Sequence, residues 1–310
     1  MAAQVLLAAL AVGDATYEPC PAYPPLAPAA AVAADPQFQA ALRNVTSLLQ
    51  SKAATLPSGL VATIAYNDSV LWSGGFGLRD KFKPGSGSPL PSDLVRIASI
   101  TKAYTDTLLY VLRDAGTVGL DDELSTHLPG FSMRNPYGTA GKVTLRNLAS
   151  HLAGIPREMP WPCTLDQHQC AESDVLDNLR SVMPVSPPNR RFHYSNLGIA
   201  LLGRALAHAA ATTETPPSFE ALLAEKVLAP LGMVNATFNT AKVRAADQRA
   251  VGTTSSGEFV NVSNTCQPTP GAPGGWGAPC GCLWASADDM AKFMKPVSYT
   301  HLTLPTKRIV

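Results

Sequence analysis

The sequence predicts an α+β fold in which a strand hairpin precedes a series of helices. Residues 59–66 and 70–77 are short apolar runs separated by Asn67 and Asp68, a pair that favours a turn. Most of the remaining apolar residues recur at helical spacing, in segments around residues 36–52, 100–115, 144–152, 173–182, 196–211 and 217–228. We therefore expect an antiparallel sheet flanked by helices, with no internal repeat.

Each predicted element has its own signal. The helix at 36–52 places apolar side chains three and four positions apart, at Phe38, Ala41, Leu42, Val45, Leu48 and Leu49. The second strand is rich in glycine, but no helix with Lys-Ser or Lys-Thr follows it, so a hairpin strand is predicted and not a phosphate loop. Gly154 and Pro156 are expected to end the helix at 144–152.

A nucleophilic serine is indicated by Ser99-Ile-Thr-Lys102, where an apolar run changes to helical periodicity. In a helix that starts at Ser99, Ser99 and Lys102 are neighbours on one face, and the helix N-terminus favours negative charge near the serine oxygen. A serine hydroxyl needs a base within reach, which a partly desolvated lysine or a phenolate near a cation can supply. Alone, the tetrapeptide also fits a helix N-cap followed by a solvated lysine.

Tyr194-Ser-Asn196 supplies two further groups that such a site needs. Tyr194 and Asn196 are two positions apart, so their side chains point the same way on an extended segment. An apolar run at 197–211 follows them. A phenol and an amide beside a serine and an amine indicate nucleophilic catalysis.

At these residues the chain resembles the serine β-lactamases and penicillin-binding proteins. The likeness is to the class C, D-alanyl carboxypeptidase and esterase branch and to the animal β-lactamase-like proteins, and it covers residues 36–294. The motifs that carry it are Arg96-Ile-Ala-Ser-Ile-Thr-Lys102, His151-Leu-Ala-Gly154, His193-Tyr-Ser-Asn-Leu-Gly198, Leu228-Ala-Pro-Leu-Gly-Met233 and Leu283-Trp-Ala-Ser-Ala-Asp-Asp-Met-Ala-Lys-Phe293. The resemblance implies a β-lactamase/transpeptidase-like fold with an added all-α subdomain.

The resemblance also implies a role for each candidate residue. Ser99 would be the acylated nucleophile and Lys102 its proton-relay partner. Tyr194 would be the general base or acid that moves the proton to the leaving group, and Asn196 would orient substrate and lysine. His151 is expected to be structural. The implied partners are small molecules or peptides with an amide or ester bond, such as D-amino-acid peptides, β-lactam-like amides and small esters. No cofactor and no metal are expected.

Composition and the N-terminus predict a secreted protein. A net charge of +1 with only 15% charged residues argues against nucleic acid or an anionic membrane surface as the main partner. Residues 1–15 resemble a signal peptide, and residues 16–35 form a Pro/Ala-rich leader, so no transmembrane span is expected after signal removal. Four glycosylation sequons support this compartment: Asn44, Asn67, Asn235 and Asn261.

The six cysteines fit the same compartment. The pairs considered are Cys163 with Cys170, and Cys266 with Cys280 or Cys282, which leaves Cys20 and one other to join or stay free. A metal site is the alternative. Cys280-Gly-Cys282 lacks the usual two-residue gap and His168 stands alone, so disulfides are favoured.

The sequence departs from the family pattern near its end. Residues 297–310 break the pattern and are expected to be foreign to the fold, with an ordinary short terminus as the alternative. Family members continue with further strands, one of which carries a Lys-Thr-Gly or His-x-Gly element and the second backbone N–H of the oxyanion hole. No such motif follows Asn196. The domain at 36–296 is thus expected to have an incomplete sheet with an open edge, and to lack about 3 kcal/mol of transition-state stabilisation.

The leading functional hypothesis is a serine hydrolase or acyl-transferase that works through an acyl-enzyme and is weakened by the missing element. The alternative is a non-catalytic secreted glycoprotein that retains the fold for binding. The full-length transcript would discriminate, because an intact third motif favours the enzyme. A metal hydrolase of the unrelated lactamase type would need a His-x-His-x-Asp-His cluster, which the sequence lacks.

Overall fold

The structure is a computed structural model that describes residues 26–80, 82–83, 85–158, 170–239, 243 and 275–298. Its helices are α1 (Ala29–Ala34), α2 (Pro36–Ala53), α3 (Thr101–Asp114), α4 (Leu124–His127), α5 (Leu145–Ala149), α6 (Glu172–Leu179), α7 (Asn196–Ala209), α8 (Phe219–Leu223), α9 (Ala278–Gly281) and α10 (Ala287–Ser298). Short 3-10 helices cover Ala98–Ile100 and Gly138–Gly141, and a π-helical turn, Ala224–Leu228, continues α8. The strands are β1 (Leu60–Tyr66), β2 (Ser69–Phe76), β3 (Val95–Arg96) and β4 (Trp284–Ala285).

The predicted α+β class is confirmed, and the sheets are small. Strands β1 and β2 form the expected antiparallel hairpin, in which Leu60 pairs with Phe76. Strand β3 pairs with β4 in a separate antiparallel pair that joins residues far apart in the chain. Within the described residues each sheet has two strands, and Thr237 adds an isolated antiparallel bridge to Trp284 of β4. Residues 244–274 lie outside the described part of the chain, so the incomplete sheet with an open edge stays a prediction.

The first helix, α1, begins earlier than the predicted domain boundary at residue 36. Helix α2 starts where expected because the Asp35 side chain accepts hydrogen bonds from the N–H groups of Gln37 and Phe38, and Pro36 occupies the first turn. Helix α1 lies within the predicted leader and packs against α2 and β2. Ordered structure thus includes the last part of the segment at 16–35.

The core is built around α7 and α3, whose apolar faces pack against each other. Helix α7 is buried along almost its whole length. On α3, Tyr104 and Leu108 are fully buried, and the Tyr104 ring stacks on Phe293 of α10 with ring centres 3.9 Å apart. Helix α9 packs on both α3 and α7. This packing fixes the first turns of α3 and α7 relative to each other.

The end of α5 differs from the prediction that Gly154 closes this helix. The helix ends at Ala149, and His151 takes the left-handed conformation with φ of 58°. The N–H of Leu152 then donates to the carbonyl of Asn147 at 2.8 Å, which closes the helix end three residues early. Gly154 is needed for a different reason, because an added Cβ would lie 2.0 Å from the Ser186 carbonyl oxygen.

The cysteine predictions are tested only in part. Cys280 is a buried free thiol, so the pairing of Cys266 with Cys280 is wrong; its Sγ instead donates to the Gly277 carbonyl at 3.4 Å. The other pairings stay predictions, because Cys20, Cys163 and Cys266 lie outside the described residues, as do the signal peptide, Asn261 and residues 299–310. No helix in the described part of the chain is both long and apolar enough to cross a bilayer.

We expect Gly203→Ala to destabilise the protein by about 1–3 kcal/mol through overpacking. A Cβ at this position of α7 would lie 2.3 Å from Pro279 Cγ and 3.0 Å from Phe219 Cδ2, so α9 must shift. Thermal or urea unfolding measures the loss. Gly281→Ala is the control, because a Cβ there would lie 3.8 Å from its nearest neighbour, an ordinary contact, and Gly281 has no positive φ. Equal losses for the two variants would contradict the packing of α7 on α9.

Candidate active site

Ser99 is presented at a tight turn between β3 and α3. The sequence predicts that Ser99 is the first residue of an α-helix. In the structure it lies instead in the 3-10 helix Ala98–Ile100, directly before α3. Ala98 has a φ of 47°, an unfavourable conformation for a residue with a Cβ, and its carbonyl accepts a 2.6 Å hydrogen bond from Thr101 Oγ1. Before the turn, the N–H of Ile97 donates to the Leu283 carbonyl at 3.0 Å. These contacts hold the exposed Ser99 side chain at the surface.

Lys102 is buried, with a relative exposure of 7%. Its Nζ donates to Ser99 Oγ at 3.2 Å, to Asn196 Oδ1 at 2.8 Å and to the Cys280 carbonyl at 2.7 Å. A lysine ammonium has three hydrogens to donate, so all three are used. The Cys280 carbonyl is a partner that the sequence analysis missed, because a backbone acceptor carries no residue-type signal.

Tyr194 completes the surroundings of the serine oxygen. Its hydroxyl donates to Ser99 Oγ at 2.8 Å. Lys102 Nζ lies 4.8 Å from the centre of the Tyr194 ring, and Arg157 Cζ lies 4.9 Å from it. The Ser99 oxygen therefore has a phenol and an ammonium within hydrogen-bond distance, and two cations border the phenol ring.

Asn196 is the first residue of α7, and its position follows from the helix cap. Ser195 is the N-cap: its Oγ accepts from the N–H of Gly198 at 2.7 Å and donates to the Pro156 carbonyl at 2.7 Å. The extended backbone at Ser195 lets Tyr194 and Asn196 reach the same cleft. The structure thus brings together all four predicted site residues: Ser99, Lys102, Tyr194 and Asn196.

The loop before α6 adds two charged residues that the sequence analysis did not single out. Asn196 Nδ2 donates to Glu158 Oε1 at 2.8 Å. Arg157 Nε pairs with the same carboxylate oxygen at 3.1 Å, and both side chains are exposed. Their only sequence signal is that they directly follow Pro156 and the motif that starts at His151.

His151 supports the Tyr194 segment from behind. The N–H of Ser195 donates to His151 Nδ1 at 3.1 Å, and the N–H of His193 donates to the His151 carbonyl at 2.9 Å. Its ring centre is 4.5 Å from that of Tyr194. Burial, with a smaller contribution from the positive charge of Lys102, lowers the pKa of His151. A neutral ring with a free Nδ1 lone pair fits this hydrogen bond, and these contacts support a structural role.

Two further titratable groups are buried near Lys102. Burial raises the pKa of the Cys280 thiol to about 11, which makes it a poor competing nucleophile. Burial also raises the pKa of Asp106 to about 7, with the charge of Lys102 acting in the opposite direction. Within the described part of the chain, Asp106 Oδ1 has no hydrogen-bond partner. Among the described residues, no group of three or more His, Cys, Asp and Glu side chains is placed to hold a metal ion.

Comparison with known proteins agrees with this geometry. A family model described as Beta-lactamase matches residues 49–308. The chain is 37% identical over 281 residues to Beta-lactamase-like protein 2 of Dictyostelium discoideum, covering 89% of this chain and 48% of that protein. It is 34% identical over 167 residues to the D-alanyl-D-alanine-carboxypeptidase/endopeptidase AmpH of Escherichia coli (strain K12), covering 50% of this chain and 40% of that protein.

Solved structures give the same result. The crystal structure of a Beta-lactamase/D-alanine Carboxypeptidase from Yersinia pestis matches with a TM-score of 0.61 and 28% identity, over 79% of this chain and 64% of that one. The predicted β-lactamase/transpeptidase-like fold is thus confirmed, and the chain belongs to the beta-lactamase family. It spans about half the length of the curated relatives that it matches. The family match includes residues 297–308, so the predicted boundary at residue 297 stays a prediction.

We expect acid to destabilise the protein partly through His151. Its pKa in the folded state is below the ordinary value of 6.5, so the unfolded chain takes up a proton that the folded chain resists. The stabilisation is complete above that value and is lost as the pH falls below it. In His151→Asn, asparagine tolerates the positive φ and can still accept from the N–H of Ser195, without titrating.

The free energy of unfolding, measured in urea from about pH 7 to about pH 5, should therefore fall more steeply for the wild type than for His151→Asn. Parallel curves for the two proteins would show that His151 does not stay neutral in the fold.

Proposed function

We propose that this protein is a serine hydrolase or acyl-transferase that forms an acyl-enzyme at Ser99 from an amide or ester. The observation that carries the proposal is the contact of one serine oxygen with two proton-transfer groups, Lys102 Nζ at 3.2 Å and the Tyr194 hydroxyl at 2.8 Å. A nucleophilic hydroxyl with a base in hydrogen-bond reach, itself oriented by a third group, is the arrangement that acyl transfer needs.

The proposed reaction has two steps. In the first, Tyr194 acts as a phenolate beside the cations of Lys102 and Arg157. Ser99 Oγ attacks the substrate carbonyl carbon and gives its proton to the phenolate oxygen, while Lys102 remains an ammonium. The bond to the leaving group breaks, and the leaving amine or alkoxide takes up that proton. In the second step a water molecule attacks the acyl-enzyme by the same proton path and releases Ser99.

The charges around the phenol support Tyr194 as the group that exchanges protons with the serine and the leaving group. Lys102 and Arg157 both place a positive charge within 5 Å of the ring centre. Positive charge at this distance stabilises the negative charge that develops on the phenol oxygen during proton transfer. Lys102 would stabilise the same charge and hold the serine, while Asn196 would orient lysine and substrate.

The names of the relatives favour an amide bond in a peptide or a β-lactam as the substrate. AmpH is named as a carboxypeptidase and endopeptidase, and the Yersinia pestis protein as a beta-lactamase and carboxypeptidase. For this chain the substrate class is a small molecule or peptide with an amide or ester bond. The N–H of Ser99, at the start of the helical turn, would serve as one oxyanion donor, and a second donor is expected from the family's third motif.

We also propose that the protein is a secreted glycoprotein. Asn44, Asn67 and Asn235 all lie at exposed positions, which is compatible with glycan attachment. Asn67 lies in the β1–β2 turn with φ of 55°.

We expect Ser99 to be labelled covalently by a fluorophosphonate or a β-lactam in protein expressed from the complete transcript. Ser99→Ala should abolish labelling. Lys102→Ala should slow it by a factor on the order of 100 or more, because proton transfer and the orientation of the serine are both lost. Intact-mass spectrometry with peptide mapping gives the labelled residue and the rate.

Ser51→Ala, a substitution at an exposed serine of α2, is the matched control and should label like the wild type. Folded protein with an intact third motif that resists every acylating probe would exclude the enzyme and favour the non-catalytic binding glycoprotein.

We expect protein secreted from eukaryotic cells to carry N-glycans at Asn44, Asn67 and Asn235. Peptide N-glycosidase F should then lower its apparent mass, and Gln in place of each asparagine should remove one step of that shift. Secreted protein with unmodified asparagines at all three positions would contradict the glycoprotein proposal.

A further inference from the structure

We propose that Glu158 is a positioning residue of the Ser99 centre, whose carboxylate locks the Asn196 amide in the orientation that holds Lys102. The inference rests on the function proposed for this site and adds a residue to it. Glu158 does not contact Ser99 in the structure, so it acts through Asn196 and not on the reacting atoms.

The orientation of the Asn196 amide follows from the chemistry of its two neighbours. Its Oδ1 accepts from Lys102 Nζ at 2.8 Å, and its Nδ2 donates to Glu158 Oε1 at 2.8 Å. An ammonium can only donate and a carboxylate can only accept. A flipped amide would therefore place hydrogens against hydrogens on one side and oxygen against oxygen on the other. Only one orientation satisfies both neighbours.

The loop that carries Glu158 is hydrogen-bonded to the start of α7. The Arg157 carbonyl accepts from the N–H groups of Asn196 at 2.8 Å and Leu197 at 3.2 Å, so the loop is bound to the first turn of the helix. Arg157 Nε pairs with the same Glu158 oxygen that Asn196 uses, at 3.1 Å. A negative charge next to a helix N-terminus is further stabilised by the helix dipole. Glu158 is thus kept where Asn196 needs an acceptor.

The consequence for catalysis concerns both hydrogens of the Asn196 amide nitrogen. One is donated to Glu158, and the second makes no hydrogen bond with the described part of the chain. With the amide locked, that second hydrogen keeps a fixed direction and remains for a substrate carbonyl. Without Glu158, the amide can rotate, and Lys102 loses a reliable acceptor while it shares its hydrogens with Ser99.

The test is a double-mutant cycle on the rate of Ser99 acylation by a β-lactam or fluorophosphonate. Glu158→Ala should slow acylation about twofold to fivefold, because the carboxylate is exposed and water can partly replace its hydrogen bond. Glu158→Gln should be intermediate, because its amide keeps an acceptor oxygen but its NH2 group also permits the flipped Asn196. In an Asn196→Ala background, Glu158→Ala should have almost no further effect. Glu225→Gln, at an exposed glutamate paired with Lys226, is the matched control.

A second measurement needs no reaction. In ¹⁵N-labelled protein, the side-chain NH2 resonances of Asn196 should shift and exchange faster with solvent in Glu158→Ala, and should stay unchanged in Glu225→Gln. This readout separates the two proposals. If no variant or wild-type protein is acylated but the resonances respond to Glu158→Ala, the positioning role stands and the proposed function fails.

Two results would overturn the positioning role. One is an equal loss of acylation rate for Glu158→Ala with and without Asn196, which would mean that Glu158 acts elsewhere. The other is an unchanged Asn196 side-chain spectrum in a folded Glu158→Ala variant.

Discussion

The site depends on the three hydrogen bonds of the Lys102 ammonium. They join the serine turn, the first residue of α7 and the carbonyl of Cys280 in α9, partners that are 3, 94 and 178 positions away in the sequence. A buried charge is tolerated only when it is fully hydrogen-bonded, so the protein must keep these three segments at fixed distances. The packing of α3, α7 and α9 is what meets this requirement.

Neighbouring contacts show how that packing is maintained. Thr105 Oγ1, one turn after Lys102, donates to the Pro279 carbonyl at 2.7 Å, and Gly203 leaves room for the Pro279 ring against α7. Leu283 N–H donates to Thr101 Oγ1 at 3.3 Å. The segment that follows α9 then pairs as β4 with β3, directly before the serine turn. The long-range contacts of residues 279–285 therefore position both the nucleophile and the lysine.

Sequence reasoning identified the side chains of the site because their chemistry is specific: Ser99, Lys102, Tyr194 and Asn196 form a nucleophile, an amine, a phenol and an amide at recognisable spacing. It missed the Cys280 carbonyl and Glu158, since a backbone oxygen has no residue type and an acidic residue after Pro156 has no helical or strand pattern. The strands β3 and β4 are two residues long, too short for any periodicity to show. The end of α5 was placed too late because His151 already adopts a positive φ of 58°, three positions before Gly154, whose φ of 68° is also positive.

The central claim is that Ser99 Oγ is the acylated atom, in a site whose segments are joined by the hydrogen bonds of Lys102. A crystal structure of the protein after treatment with a β-lactam tests this claim most directly. We expect a covalent bond from Ser99 Oγ to the acyl carbon, with Lys102 Nζ still bound to Asn196 Oδ1 and the Cys280 carbonyl, as it is in the free protein. An acyl group attached to another residue, or an acylated Ser99 with Lys102 turned away from both acceptors, would contradict the account.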